Sequence, residues 1–364
     1  MASITRRGNK WRARASYVDA GGNRQQPSKT FDTKREATEW AAKLETQIID
    51  GADINAAKMK FSEYYRTWVA TYKEPTVRTS TLVKYHSFTN ELDKLIGDVQ
   101  LDKLTALYLQ NKINEFGESH TKAYVNNIVS TIKASLKDAQ IDGIIKKDIY
   151  SRLKANGGAS KDDDNYLSAS DFEKLQSWLY DHTDLMIEDK FYFAVLIALE
   201  TGARVGEILA LTVDDFNFSN NTMTINKAYS KATASNTETK TRSGNRTIDV
   251  TDNLLALVNE LEEGGVLFPK KWFRDVSSER MKQLAEEVGF PAIRFHGLRH
   301  SHVSYLLHNG VDIAYISKRV GHSNVNVTLK TYAHMLKEKE AEQSSRTINL
   351  LQKKPPFISS SDQK

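Results

Sequence analysis

The sequence predicts a multi-domain, mainly helical chain. Three observations carry that expectation: a front stretch crowded with cations and alternating in polarity, a long run of aromatic and aliphatic residues at helical spacing, and a polar hinge at 155–165. These features divide the 364 residues into a small basic β-sheet plus helix, an all-α bundle, and a mixed, mainly-α domain with a small antiparallel sheet. The expected limits are 1–55, 60–155 and 165–340, followed by a tail at 341–364.

In residues 1–35, nine cations (Arg6, Arg7, Lys10, Arg12, Arg14, Arg24, Lys29, Lys34 and Arg35) face only Asp19 and Asp32. They alternate with Trp11, Ala13, Ala15 and Tyr17, and a Gly21-Gly22-Asn23 turn separates a second short run ending at Phe31. That pattern reads as a hairpin or three-stranded sheet. Thr33 with Glu36 three residues on predicts a capping box and a helix to about Asp50. So dense a basic face, with Trp11 beside it, suits phosphate contact and groove insertion in nucleic acid. The alternative is a solvated charged surface.

Gly51–Lys60 is a polar linker. Phe61, Tyr64, Tyr65, Trp68 and Tyr72 then fall at three-to-four spacing, and Leu101–Phe116 and Tyr124–Ile141 repeat the pattern. Within this predicted bundle, Thr79, Ser80 and Lys84 open a polar-basic helix that can track a DNA backbone or simply face solvent. Ala155–Asn165 is small and polar, without apolar periodicity, and ends the bundle.

In the third domain Ser168 or Ser170 caps a helix, and the apolar run Phe191–Leu199 reads as a buried one. A short amphipathic helix follows at Arg204–Leu211. Strands are expected around Asn220-Asn221 and at Arg246–Val250, with helices near 296–309, 312–320 and 324–336.

Four stretches here bear chemistry. In Thr201–Glu207, Arg204 begins a helix and Glu207, three residues on, can pin its guanidinium, giving either an anion holder or a structural ion pair. In Thr239–Arg246, Ser243-Gly244-Asn245 reads as a hairpin turn from which Lys240 projects as an acid or as ordinary surface. In His296–His302, His296 and Arg299 share a helix face and can both bond one phosphodiester; His296 and His300 also have the spacing of a zinc pair. In Gly321–His334, Gly321 ends one helix and Ser323 or Asn324 caps the next, which carries Tyr332. A helical tyrosine alone reads as packing, but nearby cations admit a nucleophile.

Composition excludes other classes. The net charge is +5 and cysteine is absent, so there is no disulfide framework, cysteine zinc cluster or thiol nucleophile. No apolar run approaches the roughly 18 residues of a membrane span, and Met1–Arg7 offers no apolar stretch of the kind a signal peptide needs. A cytoplasmic protein is the expectation. Gly-rich phosphate loops, His-Glu-x-x-His and Gly-x-Ser-x-Gly are missing.

Taken in order, Arg204, Lys240, His296-x-x-Arg299, Gly321-His322 and Tyr332 closely resemble the signature of the tyrosine recombinase (phage integrase) family. The front half resembles integrases of Gram-positive phages and conjugative transposons that carry an N-terminal arm-binding domain. The resemblance implies a site-specific recombinase that cuts and rejoins DNA through a 3′-phosphotyrosyl intermediate formed by Tyr332. Arg204 and Arg299 would clamp the phosphate, Lys240 would protonate the leaving 5′-oxygen, His296 would assist in acid–base work, His322 would bond a phosphate oxygen, and Glu207 would buttress Arg204. It also implies arm-type DNA contact by the first domain (Arg6, Arg7, Lys10, Trp11, Arg12, Arg14, Arg24, Lys29) and core-type contact by the second (Thr79, Ser80, Lys84).

The same resemblance implies double-stranded DNA as partner, a homo-tetramer in synapsis, and a DNA-bending protein and an excision factor as candidate accessories. It implies no metal and no cofactor, because the two arginines supply the charge that the phosphate needs. The apolar Ile348, Leu350 and Leu351 of the tail would dock on a neighbouring protomer or fold back. Three rivals remain: a resolvase or topoisomerase with the same chemistry, a non-catalytic DNA binder, and a metal nuclease built on His296, His300 and His302.

Overall fold

The computed structural model describes residues 2–18, 22–49, 57–159, 165–239, 242–262, 264–268, 276–338 and 340–352. It divides into two compact units, Met1–Asp162 and Asp163–Lys364, with the break inside the predicted hinge.

In the first unit, β1 (Ser3–Arg7), β2 (Lys10–Arg14) and β5 (Ser28–Phe31) form an antiparallel sheet in the order β1-β2-β5, while β3 (Tyr17–Val18) pairs with β4 (Arg24–Gln25). Helix α1 (Lys34–Ile49) covers one face. Its start is the expected capping box: the Glu36 amide donates to Thr33 Oγ1 and the Thr33 amide to Glu36 Oε2, each at 3.2 Å. Ala13, Ala37 and Ala41 make a small buried core, ringed by Ile4, Trp11, Phe31 and Trp40.

By strand parity Trp11 lies on the sheet face that α1 covers. It pairs with Phe31 and shares the covered face with Ala13, half-buried, with Arg6 and Lys34 over its ring at 5.9 and 5.5 Å. Lys10, Arg12 and Arg14 alternate onto the opposite face, where Arg7, the partner of Lys10, joins them. Residues 19–21, and with them part of the predicted glycine turn, lie outside the described residues.

The rest of this unit holds α2 (Phe61–Trp68), α3 (Thr79–Ile96), α4 (Ala106–Gly117) and α5 (Lys122–Ile141). Phe61, Tyr65 and Trp68 are fully buried against Leu92, Ile96, Ile113, Ile128 and Ile132. Their polar atoms are satisfied inside the bundle: Tyr65 Oη lies 3.0 Å from Thr131 Oγ1, and Trp68 Nε1 donates to Asp138 at 2.7 Å. Tyr72 departs from the predicted stripe. After Trp68 the helix continues as a π-turn, Val69–Lys73, which widens the winding and turns Tyr72 outward to 44 % exposure. Thr79 and Lys84 are exposed and Ser80 is half-buried on the first turns of α3.

The second unit is built around α8 (Lys190–Thr201), all of whose residues but Tyr192 and Glu200 are buried. A helix apolar on every side has to sit in the centre of a domain. Around it lie α6 (Ala169–Asp181), capped by Ser168, then α7 (Thr183–Glu188), α9 (Val205–Ile208), α10 (Asp252–Leu261), α11 (Ser278–Val288), α12 (Phe295–His308) and α13 (Ile313–Val320). A sheet of order β10-β7-β6 joins β6 (Phe216–Asn217), β7 (Thr222–Ile225) and β10 (Arg246–Asp249), while β8 (Lys227–Ser230) pairs with β9 (Ser235–Glu238).

Ser243-Gly244-Asn245 is therefore not a hairpin turn. It belongs to a 3₁₀ connection, Arg242–Gly244, leading from β9 to β10, and those two strands lie in different sheets. Helices α14 (Val325–Glu338) and α15 (Glu340–Gln352) follow, so the described part of the predicted tail is helical, with Ile348, Leu350 and Leu351 exposed on it. Among the described residues no helix is long and apolar enough to cross a membrane.

Candidate active site

The site begins where α8 ends. Gly202 takes a left-handed conformation (φ +64°) and its amide closes the helix on the Ala198 carbonyl. A Cβ there would lie 2.8 Å from the His302 ring, so glycine is needed for the turn and for the close approach alike. The carbonyl of Gly202 accepts Arg299 Nη1 at 2.7 Å. Arg299 is 4 % exposed, and among the described residues nothing accepts from its Nη2. A buried donor without a partner costs about 1–3 kcal/mol, more when charged. The guanidinium thus keeps one buried donor available to an acceptor. Burial first, then Arg204 and Arg246, depress Arg299 to about 9, against the opposing pull of Glu207 and Tyr332.

Arg204 leads into α9 and is fixed from two sides. Its Nη1 donates to Glu207 Oε1 at 2.8 Å and its amide to Oε2 at 2.9 Å, while Nη2 reaches the Gly321 carbonyl at 3.5 Å. The other side of Glu207 is engaged by Arg246, whose Nη2 donates to Oε2 at 2.8 Å; both side chains are 5 % exposed. Burial alone would raise the Glu207 carboxyl, but the bond and charge of Arg246, with the amide and charge of Arg204, hold it below its ordinary value. Arg246 also donates Nε to the Arg319 carbonyl at 2.7 Å and Nη1 to the Gly244 carbonyl at 3.0 Å. It ties strand β10, helix α9 and the end of α13 into one frame.

Gly321 terminates α13 in the left-handed region (φ +72°), and a Cβ there would stand 2.8 Å from the Ser243 carbonyl and 3.0 Å from Arg246 Nη1. The backbone then presents His322, whose Nδ1 bonds Thr328 Oγ1 at 2.7 Å. Burial, then Arg299, Arg204, His300 and Arg246, hold His322 down at about 4. His296 keeps an exposed edge on the first turn of α12. Its imidazole is held down at about 4 by partial burial, then His300, Arg299 and Arg204, with Glu207 opposing.

Tyr332 sits where α14 breaks, with φ −113° and ψ 18° inside an otherwise helical run. Such bridge-region geometry recurs at active sites. The ring is 2 % exposed among Val303, Leu307, Ile316 and Val320, and Oη lies 2.6 Å from His300 Nδ1. Burial raises the phenol well above its ordinary value, opposed by Arg299.

Of the residues expected to work together, Arg204, Glu207, His296, Arg299, His322 and Tyr332 share this one cluster; Lys240 lies outside the described residues. The sequence reading gave Arg246 no role, although the alternation Arg246/Ile248 places it on the inward face of β10. It gave His300 only a metal role. The metal trio loses a member, because both ring nitrogens of His302 are engaged, Nδ1 with the Leu199 carbonyl at 2.9 Å and Nε2 with Arg319 Nε at 3.2 Å.

An Arg-Arg-His-Tyr cluster of this kind invites comparison with known proteins. Residues 166–339 match the phage integrase family, residues 2–48 an arm DNA-binding domain, and residues 60–117 the N-terminal SAM-like domain of phage integrases. The chain belongs to the phage integrase family. The integrase is similar to the ICEBs1 integrase of Bacillus subtilis, with 24 % identity over 91 % of this chain and 94 % of the relative. Its fold is similar to that of the Tn1549 transposon integrase in complex with transposon right-end DNA (TM-score 0.63, 19 % identity, 78 % of this chain and 100 % of that one). A lambda integrase tetramer bound to a Holliday junction also matches (TM-score 0.56, 14 % identity, 88 % and 95 %). The protein is a tyrosine recombinase, a DNA-acting enzyme of mobile elements.

Proposed function

We propose that this integrase inserts and excises its own mobile element or prophage by tyrosine-mediated strand exchange. In this reading Tyr332 Oη attacks the scissile phosphate, a 3′-phosphotyrosyl bond forms, and the 5′-oxygen leaves with a proton from Lys240. Arg204 and Arg299 bind the non-bridging oxygens and stabilise the pentavalent transition state. His296 assists as a hydrogen-bonding acid–base group, His322 bonds a phosphate oxygen, and Glu207 holds Arg204 in register. Religation reverses the step, and because the phosphotyrosyl link conserves the bond, no nucleotide is consumed. Cationic protein groups carry the charge stabilisation, so the scheme needs neither metal nor cofactor.

The single observation that best supports this is the buried Arg299 Nη2 with no acceptor among the described residues, beside a tyrosine seated at a helix break. The topoisomerase-like alternative shares this chemistry. The matched arm domain favours integration, since bridging two DNA sites needs a second binding module.

The domains would run 1–55 (arm-type DNA), 60–155 (core-type DNA), 165–340 (catalysis) and 341–364 (protomer contact). On the arm domain Arg7, Lys10, Arg12 and Arg14 would contact phosphates from the uncovered sheet face, with Arg24 from strand β4 and the exposed Arg6 and Lys29, which share the register of Trp11 and Ala13, adding contacts from the side. Thr79, Ser80 and Lys84 would serve the core site. Four protomers would act together on DNA in the host cytoplasm, aided by a bending protein and an excision factor.

The test is incubation with duplex DNA carrying the junction of its own element, in chelator. A detergent-resistant adduct in wild type but not in Tyr332→Phe is the expected result. Retarded DNA with no adduct, on a nicked trapping substrate as well, would overturn the catalytic reading.

A further inference from the structure

We propose that His300 is the general base of strand cleavage, taking the phenolic proton of Tyr332 as Oη attacks phosphorus. This rests on Tyr332 being the nucleophile. The distance of 2.6 Å between Tyr332 Oη and His300 Nδ1 is the only hydrogen bond of that oxygen among the described residues. The ring packs among apolar side chains while the oxygen meets His300, which puts a basic nitrogen within proton-transfer distance of it.

The division of labour among the site's histidines singles out His300. His322 directs Nδ1 to Thr328, and His302 has both nitrogens engaged away from Tyr332. His296 stands edge-on to His300, with ring centroids 5.1 Å apart, on the side facing Arg299 and Arg204. Helix geometry produces this split. His300 follows Arg299 directly and is therefore turned about 100° from it: Arg299 serves the Gly202 carbonyl and the phosphate, and His300 serves the helix carrying Tyr332.

The step balances. The Oη–H bond breaks and an Nδ1–H bond forms, while the oxygen's electron pair makes the P–O bond. When the 5′-hydroxyl later attacks the phosphotyrosine, the imidazolium returns the proton to the departing phenolate. Between the two steps its charge faces the phosphate.

The groups facing His300 are His296 and Arg299 of its own helix, His322 after α13, and Tyr332 of α14. Burial and the Arg299 charge hold the imidazole below its ordinary value, so the accepting form persists through neutral pH and is lost only on acidification.

The experiment measures single-turnover adduct formation on a nicked duplex carrying the junction of the protein's own element. His300→Ala is expected to cleave roughly 10²-fold or more slowly, to retard the DNA as wild type does, and to regain rate with added imidazole. A bridging 5′-phosphorothiolate, whose thiolate leaves without a proton, should not rescue it. His300→Gln keeps a hydrogen-bonding side chain without a basic nitrogen, carries the test should the alanine variant misfold, and should be comparably slow. Cleavage by either variant within about threefold of wild type, or rescue by the phosphorothiolate, would overturn the proposal. An adduct persisting in Tyr332→Phe would instead sink the nucleophile on which it depends.

Discussion

Replacing Glu207 with Gln tests the frame that carries the arginines. The carboxylate accepts from Arg204 Nη1, the Arg204 amide and Arg246 Nη2. The two ion pairs are not equal. The Arg204 side chain is 41 % exposed, so its pair is discounted for solvent screening. The Arg246 side chain is 5 % exposed and would be left charged beside a neutral amide, an uncompensated buried cation that costs about 3–5 kcal/mol. In a domain of this size 1 kcal/mol moves Tm by about 2–4 °C, so the catalytic unit should melt roughly 6–20 °C lower near pH 7.

The sign with pH follows from the depressed carboxyl. Its stabilisation is fully present above the unfolded value of about 4.3 and disappears as pH falls through the lower folded value. The gap between variant and wild type should therefore close on acidification below about pH 4. Calorimetry of the full chain, with hydrogen exchange assigning the transition to residues 165–338, reads both effects. A midpoint within about 3 °C of wild type at pH 7, or a gap unchanged at acid pH, would refute the reasoning.

Arg299→Lys removes the Gly202 bond and the free Nη2; adduct formation should fall about 10²–10³-fold, the cost of one transition-state donor, with gel retardation of DNA little changed. Gly321→Ala forces a left-handed alanine against the Ser243 carbonyl; urea titration should show a loss of about 1–3 kcal/mol or more. Neutralising Lys10, Arg12 and Arg14 together should weaken binding to arm-type DNA at every salt concentration. It should also flatten the slope of log affinity against log salt by roughly 0.9 per lost phosphate contact, whereas Trp11→Phe should leave that slope alone.

The sequence disclosed those features that local chemistry decides. Thr33 and Glu36 announce a helix start because the capping box is made within four residues, and Phe191–Leu199 announces burial because no face of it tolerates water. Strands β8 and β9 were illegible: Ser235-Asn236-Thr237-Glu238 offers no apolar alternation, so the pairing with Lys227–Ser230 is visible only in three dimensions. The face of Trp11 was illegible because composition says nothing of which sheet face a helix will cover. Tyr72 was misplaced because one π-turn breaks the period on which the stripe depends.

The site shows the same division more sharply. Arg204, Glu207, His296, Arg299, His322 and Tyr332 could be named through an order that resembles the family's signature, whereas the other groups that aim them could not. Gly202 and Gly321 act through their carbonyl oxygens, and a backbone oxygen has no signature in a sequence beyond the glycine that turns it. Arg246 and Glu207 are 39 residues apart yet form the buried link on which Arg204 leans. His300 was named only for a spacing that suits zinc, and its neighbour across the fold gives it other work. Four chain segments thus meet through two helix-terminating carbonyls and one buried carboxylate. It follows that variants of the supporting groups should lower cleavage and stability together, while variants of the groups that touch phosphate should lower cleavage alone.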